Sequence, residues 1–355
     1  MKNLRKHIKE TLTIAIASTL SLTGIARNNE TEIINSTNMK NIHASSVPVT
    51  SPDCQHVKVP RGNFDLAANI YLPIDFEDGK TYPAIVVSHP GGGVKEQPAG
   101  TYAKRLAESG FVTIAFDAAY QGESGGEPRG FDSPFNRVDD ISYVIDYLDT
   151  LPYVDSSKIG ALGICAGGGA TIAAAPIEKR IKAAAGVSTF DVGAANRAIG
   201  QEAVNETLHK VAVQRENEAK GDPILMVPII PDTKEQLPAG APQFLVEAVD
   251  YYRTPRAYHP RSTNRTTFTS VANALRFYPW ENLGTMMEAP LLLIAGDKAD
   301  TLPFSQAAYD TDNGPKELYL VKGATHVDLY DKEPYVSEAV VKLSDFFNQN
   351  LKVGQ

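Results

Sequence analysis

Residues 158–169, KIGALGICAGGG, constrain the fold more than any other stretch of the chain. A short apolar run ends in Gly163, one residue intervenes, Cys165 follows, one more intervenes, and Gly167 opens a run of small residues. That pattern suits a strand turning sharply into a helix, with one side chain projecting alone at the tip. The turn is strained and nothing larger than glycine fits beside it, which is the logic of the nucleophile elbow written G-x-S-x-G. Here the tip is a cysteine. The dipole of the following helix and a neighbouring histidine would favour its thiolate, so Cys165 is a candidate nucleophile. The competing explanation is a small, inert, buried cysteine in a glycine-rich turn.

The 355 residues suffice for one large core or two modest ones, and 43% hydrophobic with 21% charged residues is the composition of a globular enzyme. The first 26 residues differ. Lys2, Arg5, Lys6 and Lys9 precede an apolar run over about 12–25, with Gly24 and Ala26 as small residues before a cleavage point. This predicts a secretory signal peptide, too short for an ordinary membrane span, and hence an exported, periplasmic or secreted protein with no stable membrane insertion. Its removal takes away four basic groups and one acid, Glu10, so the formal charge of −8 becomes −11. Nucleic acid is excluded as a partner on that balance. A disulfide between Cys54 and Cys165, the two cysteines, would consume the nucleophile, so both are expected as thiols.

Residues 27–53 are polar and aperiodic and read as a linker or poorly ordered arm. Two alternating runs, 56–60 and 66–72, flank Arg61-Gly62-Asn63 as an antiparallel hairpin. Residues 82–88, YPAIVVS, then have the β-branched apolar pattern of a strand buried on both faces of a parallel sheet. Further strands are predicted over 111–116, 159–164, 181–187, 290–295 and 317–321. Helices are predicted over about 99–109, 139–151 and 334–351, with another, alanine-rich, directly after the elbow. The helix over 139–151 carries Val138, Ile141, Val144, Ile145 and Leu148 on or beside one face. Alternation of this kind specifies an α/β fold with a mostly parallel central sheet flanked by helices and right-handed crossovers. The rhythm breaks over 190–289, too long for a loop, which reads as an inserted helical cap. Its cluster 251–265, YYRTPRAYHPRSTNR, is placed to line a site or to tether the cap. The core therefore comprises 54–189 and 290–355.

In such sheets reacting groups sit beyond the carboxyl ends of the strands. Cys165, an acid in the loop 296–300 and His326 each follow a predicted strand, in that order. His326 would take the thiol proton and return it to the leaving group, while the acid fixes the imidazole and supports its positive charge. Asp300 is the first choice of acid and Asp297 the second. The Ala166 amide, directly after the nucleophile, is one candidate oxyanion donor. A second comes from His89-Pro90-Gly91-Gly92-Gly93, with Gly91 and Gly92 not separable. Tyr120, Glu123 and Arg129 lie in a loop facing the proposed cleft as possible substrate contacts, with hydrogen bonding inside the loop as the alternative. Lys95 and Glu96 either orient the glycine loop or form a solvated pair. The seven histidines show no metal-ligand spacing, and no phosphate-cradling loop is present.

HPGGGVKEQ, FDAAYQGESGGEPR, LGICAGGG, AGDKADT and GATHVDLYD together resemble an α/β-hydrolase of the dienelactone hydrolase type, and more narrowly bacterial hydrolases that also resemble the Xaa-Pro peptidase catalytic domain. The resemblance covers roughly the last 300 residues. It implies the α/β-hydrolase fold, a Cys165, Asp300, His326 triad in that chain order, an HGGG-type oxyanion loop at Gly91 and Gly92, and no cofactor. The export signal and the long cap depart from compact dienelactone hydrolases. The expected activity is cleavage of a small carboxylic ester or lactone through an acyl-enzyme, with a peptidase or amidase as the alternative enzyme and a catalytically weak binding protein as the alternative class. The oligomeric state is not legible.

Overall fold

The computed structural model describes residues 54–351; the expected signal peptide and arm lie outside the described residues. Strands β1 (Cys54–Arg61) and β2 (Phe64–Tyr71) form the predicted hairpin, with Arg61 opposite Phe64. Gly62 takes φ +62° in its two-residue turn, a conformation a side chain would disfavour. β3 (Tyr82–Ser88), α1 (Pro98–Glu108), β4 (Val112–Phe116), α2 (Pro134–Leu148), β5 (Val154–Ile164), α3 (Ala166–Ala174) and β6 (Ile181–Val187) follow in strand-helix alternation. After a long excursion come β9 (Leu291–Gly296), α9 (Leu302–Thr311), β10 (Lys316–Val321), the short α10 (Asp328–Asp331) and α11 (Tyr335–Leu351).

The eight strands lie in the order β1-β2-β4-β3-β5-β6-β9-β10. The hairpin edge is antiparallel and every pair from β4 to β10 is parallel. Because β3 pairs with both β4 and β5, successive connections run to opposite sides of it, and the crevice opens beyond its carboxyl end. Helices cover both faces. Tyr102 and Leu106 of α1 with Leu343 and Phe347 of α11 pack against Ile85, Leu162 and Ile294. Ile141, Val144 and Leu148 of α2 with Ile172 of α3 pack against Val86, Ile114 and Leu293 on the other face. Every residue of β9 is buried, each aliphatic side chain contributing about 1.5–3 kcal/mol.

The excursion between β6 and β9 holds α4 (Val192–Arg197), α5 (Gln201–Ala219), β7 (Met226–Pro228), α6 (Gln243–Arg253), β8 (Arg265–Thr267), α7 (Val271–Leu275) and α8 (Leu283–Met286). It is mostly helical, and it also contains a small antiparallel sheet in which Met226 pairs with Thr267. Three-residue strands have no room for an alternating pattern, and prolines beside β7 mask the rest, so periodicity could not disclose them.

Candidate active site

Cys165 occupies the turn between β5 and α3 with φ +56° and ψ −121°, a conformation that costs a non-glycine residue of order 1–3 kcal/mol. Its own backbone holds it there. The Cys165 amide donates to the Val187 carbonyl (3.0 Å), and its carbonyl accepts from Gly169 (3.2 Å) and Phe190 (3.0 Å). A Cβ on Gly163 would overlap the Gly167 carbonyl, and one on Gly167 would lie 2.5 Å from the Ser88 oxygen and 2.6 Å from that of His89. Both glycines are therefore fixed by close backbone approach, as the spacing predicts. No disulfide joins Cys165 to Cys54.

The loop after β3 is built around His89. Its Nε2 accepts from the Ala118 amide (3.0 Å), so Nδ1 carries the proton and donates to the Pro90 carbonyl (2.7 Å). Complete burial, with the Arg137 guanidinium nearby, pushes His89 down to about 3. The turn that follows aims the Gly91 amide at the Cys165 sulfur, beside the Ala166 amide. Gly92, at φ +70°, turns away: its carbonyl accepts from Ser262 Oγ (2.8 Å), and a Cβ there would strike Asn264. The two glycines, equivalent by sequence, thus occupy different positions.

Burial raises the Cys165 thiol above its ordinary range, against hydrogen bonding with Tyr330 and with the Ala166 and Gly91 amides, and the nearby Arg137 charge, all of which favour the charged form. The expected thiolate is not the resting form, because desolvation is the largest influence on the sulfur and it raises the thiol. His326 is fully buried, and burial alone brings it down to about 3, so the imidazole is neutral. Phe244, at the start of α6, covers it with ring centroids 4.6 Å apart, so the excursion itself keeps water from the imidazole. His326 Nδ1 lies 2.5 Å from Thr301 Oγ1 and Nε2 lies 3.1 Å from the Tyr330 hydroxyl.

Asp300 precedes Thr301, yet its Oδ2 accepts from the Phe244 amide (3.0 Å) and burial raises its carboxyl. Asp297 Oδ1 accepts from the Gly323 amide (2.6 Å) on the outer side of the same loop. In the resting geometry neither carboxylate bonds His326; Thr301 does. Thr301, Tyr330 and Phe244 are the residues sequence reasoning missed. The first two stand inside the quoted stretches AGDKADT and GATHVDLYD, where a hydroxyl one or four residues from a candidate acid or base is the available signal.

An apolar cavity of about 220 Å³ opens at this point. Gly91, Ala166, Asp300 and Thr301 line its polar end, and Phe190, Ile230, Phe244, Leu245 and Phe268 are among its apolar walls. All five of those walls come from the excursion between β6 and β9. Arg137 also reaches it, but its guanidinium is held by Asp132 (2.8 Å), the His89 carbonyl and Gln121.

The loop after β4 does other work. Tyr120 packs edge-on against Phe64 and Phe131. Arg129 donates to the carbonyls of Gly122, Ser124 and Gly126. Glu123 bonds Lys95 Nζ (2.5 Å), which also binds Asp117 (3.0 Å) and Glu96 (2.8 Å). None of Tyr120, Glu123 and Arg129 lines the cavity. Lys95 is 1% exposed, and despite a burial that opposes its charge it is held protonated by Asp117, Glu123 and Glu96. With Arg261 on Glu96 (2.7 Å), this cluster ties the glycine loop to the loop after β4 and to the excursion. It is a buried brace, where the sequence left a solvated pair open. Asp331 pairs with Arg256, and Asp328 accepts from the Thr325 amide. Among the described residues no group of His, Cys, Asp and Glu could hold a metal ion, and no helix is long and apolar enough to cross a membrane.

Comparison with known proteins agrees with this architecture. The model of the dienelactone hydrolase family matches residues 69–210. YcjY, an uncharacterized protein of Escherichia coli strain K12, is 42% identical over 292 residues, 81% of this chain and 94% of the relative. The crystal structure of hypothetical protein PA2218 from Pseudomonas aeruginosa superposes with a TM-score of 0.76 at 36% identity, covering 84% of this chain and 95% of that one. A thiohydrolase of Eupenicillium brefeldianum is 24% identical over 274 residues, 75% of this chain and 85% of the relative. With its parallel sheet, its elbow and these relatives, the chain belongs to the dienelactone hydrolase family of α/β-hydrolases and is a hydrolase.

Proposed function

We propose that the protein hydrolyses a small carboxylic ester or lactone with an apolar acyl portion, through a covalent acyl-enzyme on Cys165. The observation that carries this reading is the convergence of the Gly91 and Ala166 amides on the Cys165 sulfur, at the polar end of an apolar cavity. Two fixed N–H groups there meet the oxygen that becomes negative as sulfur adds to a carbonyl, without reorganising. The apolar walls take the acyl group. The neutral His326 is the base: it accepts the thiol proton as the sulfur–carbon bond forms and returns it to the leaving oxygen as the carbon–oxygen bond breaks. Water then repeats the sequence and releases the acid.

Asp300 takes the acid's place in this reading. It belongs to the loop whose next residue holds Nδ1, and it lines the same cavity, whereas Asp297 lies on the loop's outer side. At rest its carboxylate is held by the Phe244 amide, so its engagement with the ring accompanies the arrival of charge on His326. The relative named a thiohydrolase supports hydrolytic acyl chemistry. The N-terminal pattern supports export, which N-terminal sequencing of the mature protein tests directly.

Steady-state turnover of p-nitrophenyl esters from acetate to decanoate tests the function. Wild type should prefer acyl chains longer than acetate, and Cys165→Ala and His326→Ala should lose turnover with the fold retained. Full activity in Cys165→Ala would refute the proposal.

A further inference from the structure

Two tyrosine hydroxyls flank the nucleophile, and the triad has no use for either. Tyr330, on α10, is 1% exposed, and its hydroxyl lies 3.1 Å from His326 Nε2 while also hydrogen-bonding the Cys165 sulfur. It stands between the two groups that must exchange a proton. The ring is pinned: Tyr251 packs edge-on to it with centroids 5.1 Å apart. The carbonyl of Leu329 accepts from the Tyr102 hydroxyl (2.8 Å), and Asp331 is held by Arg256 (2.8 Å). The second hydroxyl, that of Tyr252 on α6, is buried beside the Cys165 sulfur and hydrogen-bonds Tyr330. The short helix cannot swing the Tyr330 ring aside without breaking the contacts with Tyr251, Tyr102 and Arg256.

From this arrangement, and resting on the reading of Cys165 as nucleophile, we propose that the Tyr330 hydroxyl is the proton conduit between Cys165 and His326. The chain has one direction when His326 donates from Nδ1 to Thr301, leaving Nε2 to accept from Tyr330 and the Tyr330 oxygen to accept from the thiol. As sulfur bonds to the carbonyl carbon, its proton passes to the Tyr330 oxygen while the Tyr330 proton passes to Nε2, and the carbonyl π pair moves to the oxygen facing the Gly91 and Ala166 amides. When the tetrahedral species collapses, the imidazolium proton returns through Tyr330 to the departing alkoxide. Tyrosine ends each cycle neutral, and no oxidant or co-reactant is required. The conduit also accounts for a high-pKa thiol beside a neutral histidine: charge separates only as the substrate arrives.

The test measures single-turnover acylation of wild type and Tyr330→Phe by a p-nitrophenyl ester, with product mass, pH dependence and a proton inventory in mixed H₂O and D₂O. The conduit predicts a loss of about 10²-fold or more at neutral pH in Tyr330→Phe, recovering as pH rises far enough to ionise the thiol, and a wild-type proton inventory that curves because two protons move together. A Tyr330→Phe rate within about 3-fold of wild type with an unchanged pH profile, or a linear wild-type inventory, overturns it. The inventory needs no variant, so a Tyr330→Phe that fails to fold leaves the test intact. If wild type forms no acyl adduct on Cys165, the nucleophile reading fails and the conduit with it; an adduct with a linear inventory removes only the conduit.

Discussion

Gly167→Ala sets two well-known effects against each other at one atom. Gly167 is the second residue of α3, with an ordinary helical backbone, and alanine in place of glycine normally stabilises a helix by about 1 kcal/mol. Here the new Cβ would lie 2.5 Å from the Ser88 oxygen and 2.6 Å from the His89 oxygen, where real Cβ atoms essentially never come within 3.0 Å. Moving from 2.5 Å to the range 3.0–3.4 Å requires the strand end and the helix to part by about 0.5–0.9 Å. Backbone cannot give as a side chain can, and such overpacking costs about 1–3 kcal/mol. The clash therefore wins by about 1 kcal/mol, a melting temperature roughly 2–4 °C lower.

The function should suffer more than the stability. Ser88 and His89 lead into the loop that carries the Gly91 amide, and Gly167 directly follows the Ala166 amide, so the displacement separates the two proposed oxyanion donors. A shift near 1 Å costs on the order of 10²-fold in rate. Gly168→Ala is the control, because its Cβ meets only Thr189 and Gly163 atoms at 3.1–3.3 Å, and it should be near neutral in both measurements. Thermal unfolding and single-turnover acylation of the two variants decide the matter. A Gly167→Ala protein that melts higher than wild type and acylates at the wild-type rate would show that the elbow is not close-packed as described.

Three further outcomes follow from the site. Asp300→Asn should lower kcat by 10²-fold or more and Asp297→Asn by less than about 3-fold, on the scale of general acid–base contributions; the reverse order in steady-state kinetics would move the acid to Asp297. Because burial holds the folded His326 near 3 against an ordinary imidazole value of 6.5, its neutral form persists as pH falls through 6.5. The kcat/KM profile should therefore show no acid limb at 6.5, and ¹⁵N imidazole shifts should show His326 and His89 neutral at pH 5; a wild-type acid limb at 6.5 together with a protonated His326 at pH 5 would contradict this. Val271→Trp, which fills the apolar end of the cavity, should leave acetate esters near wild type and reduce kcat/KM for octanoate at least 10-fold, at about 1–3 kcal/mol per excluded methylene; equal loss for both would place the acyl group elsewhere.

The sheet was legible because strands buried on both faces, such as YPAIVVS and PLLLIA, carry their signal in composition, and because Cys165 needs small neighbours whatever surrounds it. The last helix and the hairpin followed from periodicity and the turn at Gly62. Thr301 and Tyr330 were not legible as site residues, since a hydroxyl in a loop has many uses and only the folded geometry brings it to the imidazole. Lys95 read as equally suited to solvent, because three acids from two loops converge on it only in space. The thiolate expectation failed for a similar reason: a helix dipole is visible in sequence, and the burial that raises the thiol is not. Thr301 on Nδ1, with Asp300 turned to the Phe244 amide, depends on where α6 begins relative to β9, two elements nearly fifty residues apart.

The most direct test of Cys165 as the acylated nucleophile is the intact mass of the mature protein, quenched in acid during turnover of a p-nitrophenyl ester, for wild type and Cys165→Ala together. Wild type should gain the mass of one acyl group, localised to the peptide that contains Cys165, and Cys165→Ala should gain none. Turnover by wild type with the acyl group absent from Cys165, or equal labelling of both proteins, would contradict it.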